Sequence, residues 1–149
     1  MRKKHLSRKT IPGVCEACQK DFPITRNTYG RFCSNQCQQD FQYRGYIESW
    51  YMGEVDGLRG SQVSYHIRRH LLEKQDKACL NCHRKEWMGC PIPLELDHED
   101  GNFFNTVPSN VRMLCATCHA LTPTYKGRNR GRGKLVQAQI FMEGKEKYG

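Results

Sequence analysis

Pro93-Leu94-Glu95-Leu96-Asp97-His98, then Glu99-Asp100-Gly101-Asn102, then Asn110-Val111-Arg112-Met113-Leu114-Cys115-Ala116-Thr117-Cys118-His119 is the stretch on which the fold turns. From Pro93 to His98 apolar and polar residues alternate, the period of a half-buried strand. Glu99 to Asn102 is turn chemistry, a glycine set among short polar side chains. Val111 to Leu114 reads as a second short strand. Ala116 to about Thr122 reads as one short helix closed by Pro123. The order strand, loop, strand, helix predicts a β-hairpin with a helix after it.

Cysteines frame this segment. Cys79-x2-Cys82 stands before it and Cys115-x2-Cys118 inside its end, while Cys15-x2-Cys18 and Cys33-x3-Cys37 lie upstream and Cys90 stands alone. A short Cys pair points two sulfurs at one ion, and two pairs supply the four thiolates of a closed, tetrahedral structural zinc site. Met1-Arg2-Lys3-Lys4-His5 is basic but has no apolar run after it, so no secretory signal peptide is expected and disulfides lose their compartment. The expectation is two structural Zn2+ ions, on Cys15, Cys18, Cys33 and Cys37 and on Cys79, Cys82, Cys115 and Cys118. Cys90 is expected as a free, partly buried thiol in a turn, and His83 as a surface residue.

The chain as a whole is polar and basic. In 149 residues, 24 Lys and Arg face 15 Asp and Glu, a net charge of +9. Mean hydropathy is −0.78. No window approaches the roughly eighteen consecutive apolar residues of a membrane span. Such a charge calls for a polyanionic partner, nucleic acid first among them, with an acidic substrate or an anionic membrane surface left open by charge alone. The charge lies in two arms: residues 1–14 and 101–142 carry basic but no acidic side chains.

This divides the chain into a basic arm (1–13), a four-Cys module (14–46), a linker and connecting helix (47–76), a four-Cys segment with the hairpin (77–125) and a basic tail (126–149). In the first module Arg31-Phe32-Cys33 suggests a strand, followed by a short helix capped near Ser34. Residues 53–60 read as linker, and Ser61 as the N-cap of a helix to about Gln75 whose stripe is Val63, Ile67 and Leu71. His66 and His70 are one turn apart, but Ile67 stands where H-E-x-x-H has Glu, and Arg68 and Arg69 crowd the site. That face is expected to be solvated or turned to DNA. Trp50, Tyr51, Phe103 and Phe104 read as packing residues. In the tail, Lys126, Arg128, Arg130, Arg132 and Lys134 alternate with Gly and Asn, a flexible run able to grip a phosphate backbone.

Asp97, His98 and His119 carry the chemistry. Adjacent residues of a strand point to opposite sides, so Asp97 and His98 do not readily share one metal. One of them suits a divalent ion with open positions, and the other a different task. A neutral imidazole can take a proton from water at physiological pH.

Together, Leu96-Asp97-His98-Glu99-Asp100-Gly101-Asn102, Asn105 and the run from Asn110 to His119 resemble the HNH endonuclease family, in its zinc-containing subgroup. The resemblance implies a small α+β, zinc-stabilised fold: a ββα-metal catalytic domain with an N-terminal zinc-finger module and a connecting helix. It implies His98 as general base, Asp97 and His119 as ligands of one Mg2+ or Mn2+ ion, and Asn110 bonding across the loop to keep His98 oriented. Arg112, Arg68, Arg69 and the basic tail residues become DNA contacts, the DNA being double-stranded. The implied setting is the cytoplasm of a bacterial cell or a phage-infected host. Nicking by a monomer and double-strand cleavage by a homodimer both stay open. So do homing, restriction and phage packaging roles, the last with a terminase as partner. The rival from another class is a non-catalytic, zinc-stabilised nucleic-acid-binding module.

Overall fold

The structure, a computed structural model, describes residues 11–24, 30–60 and 62–129. The expectations that rest on Ser61, Arg130, Arg132, Lys134 and residues 1–10 lie outside these. The chain divides into two compact units, Met1–Tyr46 and Ile47–Gly149. It is a small α+β protein of short two-stranded sheets and few helices.

In the first unit β1 (Ile11–Val14) pairs antiparallel with β2 (Asp21–Ile24). The Cys15-x2-Cys18 turn joins them, closed by the Cys15 N–H donating to Lys20 O at 3.0 Å and the Gln19 N–H donating to Cys15 O at 2.8 Å. Cys15, Phe22 and Tyr43 are buried. No strand forms over Arg31-Phe32-Cys33, because the sheet of this unit is completed by β1 and β2 instead. The helix capped by Ser34, whose Oγ accepts the Cys37 N–H at 3.2 Å, is not short. As α1 it runs Asn35–Tyr51, through Gly45, with its last turn in the second unit.

The second unit opens with that last turn, where Trp50 is 2% exposed. β3 (Leu58–Arg59) and β4 (Gln62–Val63) then form a small hairpin where the sequence suggested the end of a linker and the first turn of a helix. Because Gln62 and Val63 are spent on that strand, α2 begins later than expected. It runs Tyr65–Lys74, with Ser64 Oγ accepting the His66 N–H. Val63, Ile67 and Leu71 are all buried as the stripe predicted, though Val63 reaches the core from a strand.

A second Cys turn follows, with the geometry of the first. The Cys79 N–H donates to Arg84 O at 3.0 Å and the His83 N–H to Cys79 O at 2.8 Å. Gln19 (φ 59°) and His83 (φ 57°) occupy the same left-handed position four residues after the leading Cys. His83 is exposed, as expected. Next comes the hairpin of β5 (Glu86–Trp87) and β6 (Cys90–Pro91), which the sequence did not suggest. Cys90 is therefore in a strand, and it is exposed rather than partly buried.

β7 (Leu94–His98) and β8 (Val111–Cys115) form the antiparallel pair, and α3 (Ala116–Ala120) follows directly. Leu114, Cys79 and Cys118 make a buried cluster on which Ile92, Leu94 and Cys115 pack. The Gln75 amide, at the end of α2, donates to Met113 O at 2.9 Å and accepts the Met113 N–H at 2.9 Å. It holds α2 to the outer edge of β8. Among the described residues no helix is long and apolar enough to cross a membrane.

Candidate active site and metal centres

Each Cys quartet is gathered at one point. Within each, one sulfur per residue lies within 4.8 Å of the others. A zinc–sulfur bond of about 2.3 Å in a tetrahedron sets sulfurs about 3.8 Å apart. The Cys18–Cys33, Cys33–Cys37 and Cys82–Cys115 sulfurs stand 3.8, 3.4 and 3.9 Å apart, so both quartets fit that ion. Burial opposes ionisation of Cys15, but backbone N–H donors of Cys33, Cys18 and Ala17 outweigh it and hold the thiol down to about 6. Cys79 is likewise held to about 6, against burial, by donors from Cys82, Cys115 and Asn81. Cys33, crowded first by Cys37, is pushed up to about 12. Without a cation, such close thiols cannot all ionise; a metal removes that conflict.

The second cluster is built on β7. Residues 95, 97 and 99 alternate along the strand and its end, so Glu95, Asp97 and Glu99 share one face. Arg112 is the cross-strand partner of Asp97 in the β7–β8 register, which puts the two side chains side by side. The Arg112 Nε donates to Asp97 Oδ2 at 2.8 Å, and its Nη1 lies 3.2 Å from Glu99 Oε1. Asp97 is only 4% exposed. A carboxylate that dry needs a charged partner, and Arg112 is it.

His119, on α3, meets the same face. Its Nδ1 is 2.6 Å from Glu95 Oε2, and its Nε2 is 3.5 Å from Asp97 Oδ1. A carboxylate only accepts, so Nδ1 is the donor to Glu95, while Nε2 faces Asp97 Oδ1. Tyr125 packs edge-on against the ring, 5.0 Å between centroids. The structure thus brings Asp97 and His119 together, each with its outer atom held by another residue. Motif reading did not single out Glu95, and it took Arg112 as a DNA contact rather than as the partner of Asp97. Their spacing, two residues before Asp97 and opposite it across the hairpin, was the available signal.

His98 ends β7 with its ring against Phe103, 5.6 Å between centroids. Its Nε2 is buried with no hydrogen-bond partner among the described residues. Burial pulls its pKa below the usual histidine value, and Arg68 adds to the drop, while Asp100 and Asp97 oppose it. These surroundings favour the neutral ring. Asn110 does bond across the loop, but to the loop rather than to His98. Its Nδ2 donates to Asp100 Oδ1 at 2.9 Å and to Asn105 O at 2.6 Å, and its Oδ1 accepts the Asp100 N–H at 3.0 Å. Burial works against the ionised form of Asp100, yet Asn105, the Asn102 backbone, Asn110 and nearby His98 hold its carboxyl below the ordinary range.

The other basic candidates divide. Arg69 pairs with Glu73 at 2.7 Å, and Arg68 is exposed. Arg128 donates to the Ala120 and Thr122 carbonyls at 3.1 and 2.9 Å, capping the end of α3. Lys126 is exposed beside the Tyr125 ring. His70 accepts from or donates to the Tyr51 hydroxyl at 3.0 Å rather than facing a metal.

Over 98 residues the chain is 40% identical to the H-N-H endonuclease F-TflIV of Escherichia phage T5, a match covering 64% of this chain and 40% of that protein. The chain therefore spans well under half the length of that relative. No protein-family model matches the chain. No solved structure matches it either.

Proposed function

We propose that this chain, which is 40% identical over 98 residues to a phage H-N-H endonuclease, is itself a metal-dependent DNA endonuclease that hydrolyses phosphodiester bonds. In this reading the β7–β8–α3 unit is a ββα-metal site, with His98 as general base and Asp97 and His119 as ligands of one Mg2+ or Mn2+. The observation that carries it is the approach of Asp97 Oδ1 to His119 Nε2, 3.5 Å, with both outer atoms already engaged. Two ligand atoms bound at about 2.1 Å stand about 3 Å apart at right angles, and further apart as the angle opens. The donor set, one carboxylate oxygen and one imidazole nitrogen, suits such an ion. When bound, the ion would stabilise the negative charge that develops on the phosphate and on the leaving 3′ oxygen.

The chain's own residues do the rest. Neutral His98 takes a proton from water, and the oxygen so freed attacks phosphorus. The bond to the 3′ oxygen breaks and that oxygen takes a proton from solvent, leaving 5′-phosphate and 3′-hydroxyl ends. Asn110 keeps the loop after β7 in one shape, and so fixes the strand end from which His98 projects. Exposed Arg68, close enough to His98 to depress its pKa, is a candidate for phosphate contact. One such site cuts one strand, so a double-strand break takes two sites or two events. The zinc quartets are structural, since four thiolates leave no position for substrate.

The test is incubation of supercoiled plasmid with the wild type and with His98→Ala, in Mg2+, Mn2+ or EDTA. The wild type should convert it to nicked or linear DNA with metal and not with EDTA, and His98→Ala should lose the activity while keeping its zinc. Equal conversion by both proteins removes His98 as base. DNA binding without conversion by either leaves the non-catalytic module as the better description.

A further inference from the structure

We infer that Arg112 selects the ion of the Asp97–His119 pair, holding Asp97 to a single ligating oxygen and thereby favouring Mg2+ and Mn2+ over Ca2+. The inference rests on the ion site proposed above and adds to it a residue that decides which cation fits. Asp97 Oδ2 is taken by the Arg112 Nε at 2.8 Å. The guanidinium is fixed from two sides, by the β7–β8 register that seats it opposite Asp97 and by Glu99 at 3.2 Å. Only Oδ1 is left facing His119. The remaining carboxylates of this face are also committed, Glu95 to His119 and Glu99 to Arg112.

The two classes of ion ask for different things. Ca2+ takes six to eight oxygens and commonly a carboxylate through both of its oxygens, at about 2.3–2.6 Å. Mg2+ is bound at about 2.0–2.1 Å in an octahedron, keeps several waters and needs only one or two protein ligands. A nitrogen and one carboxylate oxygen, with the second oxygen locked, satisfy the second demand and not the first. Arg112 thus acts through Asp97, as a positioning residue.

The experiment is calorimetric titration of the zinc-loaded full chain with Mn2+, Mg2+ and Ca2+, for the wild type, Arg112→Met and Asp97→Asn. Mg2+ and Ca2+ carry the same charge, so loss of the Arg112 charge alone strengthens both equally. Freeing Asp97 Oδ2 should strengthen Ca2+ relative to Mg2+ by about tenfold or more, the scale on which groups behind metal ligands act. An unchanged Ca2+/Mg2+ ratio in Arg112→Met, with Mn2+ binding still abolished by Asp97→Asn, overturns the inference and leaves the ion site standing. Mn2+ binding that Asp97→Asn does not weaken overturns the site itself, and the inference with it. Should Arg112→Met not fold, Arg112→Lys decides. Its single ammonium keeps the charge but cannot hold Asp97 and Glu99 together, so the ratio should shift the same way by about threefold, and an unchanged ratio overturns the inference.

Discussion

Replacing Gly57 by Ala tests how the second unit supports its loop. Gly57 has φ +75°, and a Cβ there would lie 2.5 Å from Ile67 Cδ1, 2.8 Å from Thr106 Oγ1 and 3.2 Å from Trp50 Nε1. Ile67 is fully buried and Trp50 nearly so. Trp50 also donates through Nε1 to Thr106 O at 2.8 Å, and Thr106 donates to Asp56 O. Ile67 Cδ1 is a side-chain end, but it is fully buried, and the Thr106 and Trp50 atoms are tied by their hydrogen bonds. The left-handed backbone costs an L-residue roughly 1–2 kcal/mol, and overpacking of this kind about 1–3 kcal/mol. Less unfolded-chain entropy returns about 0.4–1 kcal/mol. The expected net loss is about 2–4 kcal/mol, a large part of the roughly 5–15 kcal/mol that holds a domain together.

Urea unfolding followed by tryptophan emission measures this as a lowered midpoint at unchanged slope. Gly53→Ala is the control. Its φ is also +75°, but nothing lies within 4 Å of its added Cβ, so it carries the backbone cost alone. A Gly57→Ala variant within about 0.5 kcal/mol of Gly53→Ala would refute the steric argument. Thr106 follows Asn105, whose carbonyl Asn110 holds. On the proposed function, DNA cleavage should therefore fall with Gly57→Ala even at temperatures where the protein remains folded.

Three further outcomes are expected. With His98 depressed below 6.5 and required neutral, kcat/KM should be flat near pH 7 and fall as pH drops through that lowered value, while His98 favours folding above pH 6.5 and loses that contribution on acidification; a limb centred above 6.5 would count against His98. Cys115→Ala should lose one zinc of two by elemental analysis and the near-ultraviolet dichroism of the second unit, because Cys115 both belongs to the quartet and accepts the Cys118 N–H at the start of α3; full zinc content would contradict this. Asn110→Ala strips three side-chain bonds from a buried site and should cost about 2–4 kcal/mol in urea unfolding, a loss below about 0.5 kcal/mol being the contrary result.

How much of this was legible in the sequence depends on whether the cause was local. The alternation from Leu94 to His98, the turn at Glu99 to Asn102 and the strand before Cys115 follow from neighbouring residues, and all appear where expected. The quartets follow from spacing. The errors have a common source in partners distant along the chain. Ser61 has a cap's chemistry, but pairing of Gln62 and Val63 with Leu58 and Arg59 delays α2 until Ser64. Arg112 has the charge of a DNA contact, yet its register opposite a buried Asp97 turns it inward. Cys90 lay in an apparent turn, and the β5–β6 pairing made it strand. Glu95 was visible as one polar member of an alternating strand, but only the docking of α3 shows that it meets His119.

The amide of Gln75 has a consequence for life at high concentration. A two-stranded sheet leaves an edge on either side, and an open edge invites a strand from a neighbouring copy. On β8 the outward N–H and C=O of Met113 are both taken by Gln75, and the Leu80 N–H donates to the same carbonyl at 3.1 Å. A side chain and a loop thus stand where a third strand would add. Gln75→Ala would reopen that edge of the β7–β8 hairpin, and light scattering during refolding would register it as aggregation.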